Sequence, residues 1–364
     1  MKHKKHAKLT KPNLGNFGRN EWSIIGTTCS DIKQLSQKII VGIPELKMAY
    51  LDASHDANKS QQTFPFINYS DEKGTNQFST TADLNKWQLR PYFNEADFLL
   101  INGNHFQGKR QIVVIDSKKE ISLSKKLDRL TDVGLVLLKD RDKAYDFLVE
   151  QIVDVPILNF EDINGIIDFL RKQTQKPELY GLLLMGGKSI RMGHDKGLIN
   201  YHGKPQREYA AELLSAVTTK TFLSCRMDQV GSINSANELL PDTFLGLGPY
   251  GGMLSAFQKY PNKAWLVMAV DLPKMDASGI QELVEARDIS KIATAFLSPD
   301  GQFPEPLITI WEPKSYAILL QFLAQGFSCP RKVLINSDVK IITPKHPEKL
   351  MNVNSPSDLK NFQT

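Results

Sequence analysis

Residues 180–196, YGLLLMGGKSIRMGHDK, join an apolar run to a glycine turn and two cations. The run 182–185 has the composition of a buried parallel strand and breaks at Gly186 and Gly187 into a polar, basic turn. Two glycines let the main chain approach a ligand with no Cβ in the way, and their N–H groups can point at anionic oxygens. Arg191 brings a planar fork of donors to this turn and Lys196 a mobile point charge. Such a set suits a triphosphate. The turn lacks Gly-Lys-Ser/Thr, so it is not a Walker A loop, and it lacks the third glycine and later acid of a dinucleotide fingerprint.

Two carboxylates downstream extend the same chemistry. The run 265–270, WLVMAV, reads as the clearest central strand and ends in Asp271-Leu272-Pro273. Open α/β sheets place ligands beyond the carboxyl ends of their strands, so Asp271 is sited to hold Mg²⁺, a hard cation that takes one or two carboxylates plus phosphate oxygens and water. An N-cap role is better filled by Asp276 or Ser278, which lie nearer the following helix. Asp242 follows Leu239-Leu240-Pro241, where a carboxylate can accept guanine N–H groups or a ribose hydroxyl. Taken alone, Asp242 reads better as a turn or cap residue.

The string Leu184, Gly186, Gly187, Ser189, Arg191, Met192, Gly193, Asp195, Lys196 resembles the signature loop of the molybdenum cofactor guanylyltransferases, the MobA-type nucleotidyltransferases. Met185 stands where that family usually has Ala, and only its main chain would face the nucleotide. Asp242 followed by Gly248-Pro249-Tyr250-Gly251-Gly252, the Asp-x-Pro at 271–273 and the closing stretch MNVNSPSDL at 351–359 are also similar to family motifs. The resemblance covers nearly all of residues 179–362. It implies a nucleotide-diphospho-sugar-transferase-like fold and transfer of GMP from GTP to molybdenum-bearing molybdopterin. It further implies that Leu184, Met185, Gly186, Gly187, Lys196, Asp242 and Asp271 bind the nucleotide, that Arg191, Lys196 and Asp271 are catalytic, and that Asp271 holds the metal. Arg331, Asn352 and Asn354 are expected on the pterin side, and Asp358 as a helix cap. An Asn that reads the base lies just after the strand at 221–225 in the family; here Ser224 or Cys225 holds that place, which leaves base recognition there open. The alternatives are a cytidylyltransferase for the same pterin, another sugar-phosphate nucleotidyltransferase, or a handover adaptor without catalysis.

The elements that must position these residues point to an α/β chain of two Rossmann-like three-layer domains. At 364 residues two domains are expected, joined by the charged stretch 171–178. Runs at 22–25, 46–51, 98–101, 112–115 and 133–138 read as strands, and 30–41, 143–152 and 161–171 as helices. Asp31 or Ser30 is expected to cap the first helix, and 56–85 reads as an inserted hairpin and loops. In the second half, helices are expected at 206–216, near 276 and at 313–324, and strands at 221–225, 291–297 and 307–311. Pro304-Glu305-Pro306 is read as a connection between the last two. The divisions are an arm over 1–20, a first domain over 21–174 and a second over 175–364.

Residues 24–33, IIGTTCSDIK, occupy the place of a P-loop without its parts: against Gly-x4-Gly-Lys-Ser/Thr from Gly26, the second glycine is Asp31, the lysine Ile32 and the hydroxyl Lys33. With the stretch 97–116, where Asn102 stands for a usual acid, the N-terminal half is similar to a degenerate MobB-type GTP-binding domain. No GTP hydrolysis is expected there. This domain would dock a molybdenum-insertion enzyme or a molybdoenzyme client.

The net charge of +5 fits small anionic substrates and falls short of a nucleic-acid footprint, since Lys and Arg are clustered only in the basic first residues. No apolar run approaches a membrane span, and the first residues lack an apolar signal region. Three widely spaced cysteines, Cys29, Cys225 and Cys329, suit a reducing compartment, and a cytoplasmic protein is expected.

Overall fold

The computed structural model describes residues 8–53, 67–72, 74–174, 176–185 and 196–353. The chain forms two compact units, one of Leu14–Gln175 and one of Met1–Asn13 with Lys176–Thr364.

The first unit runs β1 (Glu21–Ile25), α1 (Cys29–Gly42), β2 (Met48–Leu51), β3 (Ile67–Glu72), β4 (Thr75–Thr80), α2 (Lys86–Phe93), β5 (Phe98–Asn102), β6 (Arg110–Ile115), α3 (Glu120–Ser124), β7 (Val133–Leu138), β8 (Ile157–Asn159) and α4 (Ile163–Gln173). Six strands form a parallel sheet in the order β2-β5-β1-β6-β7-β8, and β3 and β4 form an antiparallel hairpin. β1 and β5 are buried at every position, as strands covered on both faces must be. Ile32, Leu35 and Ile39 of α1 pack with Ile166 and Leu170 of α4 on one face, and Leu123 and Leu148 close the other. Thr28, one residue before α1, is its cap: the Thr28 Oγ1 accepts the Asp31 N–H at 3.2 Å.

Two expectations are corrected in this unit. The helix expected over 143–152 is a single 3-10 turn at Asp146–Leu148. Tyr145 and Leu148 are buried and satisfy the sheet face, while β-branched Val149 and Val153, 60% and 68% exposed, gain nothing from continuing a helix. The expected arm over 1–20 divides at residue 14. The buried Glu21 carboxylate accepts the N–H groups of Asn16 (3.0 Å), Phe17 (2.6 Å), Gly18 (3.0 Å) and Lys109 (2.8 Å), which ties 16–18 into the unit.

At the carboxyl end of β1 an ionic cluster fills the place of a phosphate cradle. Lys139 Nζ lies 2.8 Å from Asp31 Oδ2 and 3.0 Å from Asp116 Oδ2, and Thr27 donates to Asp116 at 2.6 Å. Two carboxylates there repel phosphate, and the lysine is already engaged.

The second unit runs β9 (Leu179–Leu184), α5 (Gln206–Ser215), β10 (Lys220–Cys225), β11 (Glu238–Pro241), α6 (Pro249–Lys259), β12 (Ala264–Ala269), α7 (Ala277–Glu285), β13 (Ala293–Leu297), β14 (Pro304–Trp311), α8 (Ser315–Ala324), α9 (Pro330–Ile335) and β15 (Val339–Ile342). The sheet order is β11-β10-β9-β12-β14-β13-β15, with β14 antiparallel to both neighbours. Ala210 and Leu214 of α5 and Ile280 and Leu283 of α7 cover one face. Met253 and Phe257 of α6, Leu319 of α8 and Val333 of α9 cover the other. Successive strands leave β9 in opposite directions, β10 to one side and β12 to the other, so the crevice of a switch point opens at their carboxyl ends.

Pro304-Glu305-Pro306 is part of β14, not a connection. Pairing of β14 with β12 ends at Ile308, and on the β13 side Pro304 pairs with Leu297 across a register shift, so the prolines lie in the irregular start of the strand, where they are tolerated.

Candidate active site

Hydrogen bonds beyond the strand ends draw the predicted residues together. The Val270 N–H donates to the Leu184 carbonyl at 3.1 Å, and the Met185 N–H to the Ser224 carbonyl at 3.3 Å. The Asp242 N–H donates to the Cys225 carbonyl at 2.9 Å. Asp271 and Met185, each one residue past these bonds, therefore leave neighbouring strands on the same edge. Lys196 closes the set, with its Nζ 3.4 Å from Asp271 Oδ2 and both side chains 18% exposed. Gly186, Gly187 and Arg191 lie outside the described residues.

The other oxygen of Asp271, Oδ1, is buried and has no hydrogen-bond partner among the described residues. A buried carboxylate oxygen left unsatisfied is costly, and a cation would satisfy it. The described residues contain no group of three or more His, Cys, Asp or Glu able to hold a metal. The fit is thus to a cation that takes one carboxylate and draws its remaining ligands from phosphate and water. Helix capping does not claim Asp271, because Asp276 caps α7 by accepting the Gly279 N–H at 3.0 Å.

Contacts from three directions fix the turn after Asp271. His202 Nε2–H donates to the Pro273 carbonyl at 2.8 Å, which sets its tautomer, and its ring stacks 3.9 Å from Tyr209. The Tyr209 hydroxyl donates to the Met275 carbonyl at 3.1 Å. The Val353 N–H donates to the Asp271 carbonyl at 3.0 Å, which brings exposed Asn352 one residue from this turn. Asn354 and Asp358 lie outside the described residues.

A cavity of about 550 Å³ opens beside the Leu184–Met185 main chain. Its walls are largely apolar, with Met227, Phe244 and Leu245 among them, and Asp242 is one of few polar groups. Burial raises the Asp242 pKa, and the Ser224 hydroxyl, donating at 2.8 Å, offsets part of that rise. Largely apolar walls with a half-buried carboxylate among them suit a flat base that carries N–H donors. The register leaves no doubt about the strand end: Ser224 pairs with Leu184 and Leu240, and both Ser224 and Cys225 line the cavity.

The glycine-rich turn has two separate jobs. Gly248, at φ 56° before α6, faces the cavity in a conformation that disfavours a side chain. Gly251 and Gly252 serve packing, for a Cβ would sit 2.2 Å from the Phe244 carbonyl oxygen and 2.5 Å from Ser224 Oγ respectively.

Arg331, at the start of α9, has its Nη2 3.7 Å from Glu305 Oε1 and its guanidinium 6.0 Å from the centre of the Phe303 ring. Burial raises the Glu305 pKa; Arg331 opposes this, and the charges of Asp300 and Asp271 add to it. Reading 304–306 as a connection hid Glu305, although a carboxylate between two prolines on a strand was a signal. Arg226 and Asp228 also line the cavity, and nothing in the short-range pattern after the strand marks them.

Relatives of known name resemble the C-terminal half. A molybdenum cofactor biosynthesis bifunctional protein of Synechocystis is 37% identical over 186 residues, which is 51% of this chain and 53% of the relative. This chain therefore spans about half the length of that protein. A molybdenum cofactor guanylyltransferase of Pseudomonas fluorescens is 25% identical over 54% of this chain and 98% of the relative. Among solved structures, the molybdopterin-guanine dinucleotide biosynthesis protein A of Archaeoglobus fulgidus aligns at 23% identity, covering 50% of this chain and 96% of that one with a TM-score of 0.44. Residues 181–339 match the family model described as the MobA-like NTP transferase domain.

Proposed function

We propose that the chain transfers GMP from GTP to molybdenum-bearing molybdopterin, forming the guanine dinucleotide and releasing pyrophosphate. The observation that carries this reading is the junction of the β9 end with Asp271: Leu184 and Val270 are hydrogen-bonded, and Lys196 faces a carboxylate whose second oxygen has no partner among the described residues. The names of the relatives above support the choice of guanine and of the pterin.

In this reading the amides of Gly186 and Gly187, with Arg191 and Lys196, hold the triphosphate and take up charge on the departing pyrophosphate. Asp271 would hold Mg²⁺, which supplies charge neutralisation at the phosphates. Asp242 accepts the base N–H groups, and the Leu184–Met185 main chain lies along the nucleoside. The nucleophile is the terminal phosphate of the pterin, whose second pKa is about 6, so it is ionised at neutral pH and needs no general base. Arg331, beside Glu305, and Asn352 and Asn354 receive the pterin. Lys196 Nζ, already within 3.4 Å of the carboxylate, is placed to exchange that contact for a phosphate oxygen.

The unit of residues 14–175 is proposed as a degenerate MobB-like domain, with no hydrolytic role, that docks a molybdenum-insertion enzyme or a molybdoenzyme client. The ionic cluster of Asp31, Asp116 and Lys139 supports this. No helix among the described residues is long and apolar enough to cross a membrane, and we place the protein's work in the cytoplasm. Competition between GTP and CTP, followed by pyrophosphate release with Mg²⁺ and molybdopterin, tests the reading. Preference for GTP by tenfold or more is expected. Preference for CTP would reassign the chain to cytidylyl transfer, and no release from either would leave the handover role.

A further inference from the structure

A second constellation of reactive groups lies in the first unit, and the nucleotidyl transfer proposed above makes no use of it. Cys29 is the first residue of α1, a helix of 14 residues, and is half-buried. Its Sγ lies 3.4 Å from His105 Nε2 and 3.6 Å from Asn104 Nδ2, whose amide also donates to the Thr27 carbonyl at 3.0 Å. The sulfur thus accepts from the Asn104 amide and lies against the His105 ring nitrogen. Asp52, just past β2, lies with its Oδ1 3.8 Å from the same His105 nitrogen.

Asp52 is itself held in place. Its Oδ1 accepts Asn102 Nδ2–H at 2.8 Å and its Oδ2 accepts the Tyr50 hydroxyl at 2.8 Å. Burial and the Asp52 charge raise the Tyr50 pKa, so that hydroxyl stays a donor. Sheet order explains the convergence. Cys29 follows β1, residues 102–105 end or follow β5, and Asp52 follows β2, and these three strands are adjacent with their carboxyl ends together.

The surroundings are electropositive on the side away from Asp52. Lys126 Nζ donates to the Asn104 carbonyl at 3.5 Å, and Arg129 Nη1 to the Gly103 carbonyl at 3.4 Å. Lys126 also feels Cys29 directly: burial, Arg129 and Lys119 lower the ammonium pKa, and Cys29 opposes them. One partly exposed sulfur at the first residue of a helix is thus held between an imidazole and an amide donor. The nucleophile is within reach of a base, and a carboxylate faces the base.

We propose that Cys29 is an activated thiol that exchanges with low-molecular-weight disulfides, with His105 as its proton acceptor. The Cys29 proton passes to His105, and the thiolate attacks one sulfur of the disulfide. A mixed disulfide forms on Cys29 as the original S–S bond breaks. The departing thiolate takes the proton from His105, so one thiol and one disulfide are consumed and one of each is produced. Asp52 is a positioning residue, stabilising the imidazolium while it exists.

The test uses the full chain, with exposed Cys329 as the internal reference. The protein is treated at pH 7 with limiting iodoacetamide, and in parallel with oxidised glutathione, and each cysteine is quantified by peptide mass spectrometry. Cys29, although less exposed, is expected to alkylate at least tenfold faster than Cys329 and to be the preferred site of the mixed disulfide. His105→Gln should lower the Cys29 rate at least tenfold and leave the Cys329 rate unchanged, which also reports an intact fold. Alkylation of Cys29 no faster than Cys329 in the unsubstituted protein would overturn the proposal, and that comparison requires no variant. A Cys29 rate unaffected by His105→Gln would do so too, as would fast alkylation without any glutathione adduct. All of these readouts are independent of GTP.

Discussion

Replacing Asp271 by Asn separates the role of its charge from its role in the fold. The substitution keeps the shape and the main-chain bond from Val353, and removes the charge facing Lys196. At 3.4 Å and an effective dielectric of about 20, the gross Coulomb attraction is about 5 kcal/mol. Both side chains are largely withdrawn from water, so desolvation cancels most of this, and the net loss of stability is about 1 kcal/mol. Activity should respond on a different scale. Loss of the carboxylate proposed to hold the cation is expected to lower pyrophosphate release by about 10³-fold, equivalent to about 4 kcal/mol in the barrier. Urea unfolding and steady-state turnover of the same preparation give the two numbers. Turnover within tenfold of the unsubstituted protein would refute the reasoning, and so would a stability loss as large as the loss in the barrier.

Further expectations follow from other named contacts. Asp242→Asn keeps the acceptor for Ser224 but gives up the charged acceptor for base N–H groups, so the KM for GTP should rise by about ten- to a hundredfold with kcat changed much less; initial-rate kinetics checks it. Glu312→Ala strands Arg287, whose guanidinium is buried, bound to both Glu312 oxygens at 2.6 and 2.9 Å, and also donates to the Pro177 carbonyl. Chemical denaturation should show a loss of about 3–5 kcal/mol. For Asp31, burial alone would raise the pKa, but hydrogen bonds from Lys139, Thr28 and Thr27 outweigh it and bring it down to about 2. A depressed carboxylate stabilises the fold above its ordinary pKa and loses that contribution as pH falls toward the folded value. Asp31→Asn should therefore cost about 2 kcal/mol at neutral pH and almost nothing near pH 2, as read from denaturation at the two pH values.

Long apolar runs made the framework of both units legible in the sequence. β5, β7, β9 and β12 are largely buried on both faces, which demands near-continuous hydrophobicity. Asp271 and Lys196 were legible for a related reason, since a carboxylate at a strand's end and a cation after a glycine turn are short-range patterns. What brings them together is not short-range. The bond between Leu184 and Val270 depends on β9 and β12 being neighbours, and strand order is set by packing spread over the chain. The helix expected over 143–152 failed because two buried side chains at helical spacing need only one turn to reach the sheet. Glu305 was hidden because prolines ordinarily end strands, and the irregular pairing at the start of β14 permits them here. The Cys29, Asp52 and His105 grouping draws on three separate strand ends, and no single window of sequence contains it.

Identification of the reaction product tests the central claim most directly. The purified full chain is incubated with GTP, Mg²⁺ and molybdenum-bearing molybdopterin, and the pterin is then identified by mass. The account predicts a pterin enlarged by one GMP, formed in step with pyrophosphate and absent when Asp271→Asn replaces the unsubstituted protein. An unchanged pterin, or one enlarged by CMP when both triphosphates are supplied, would contradict it.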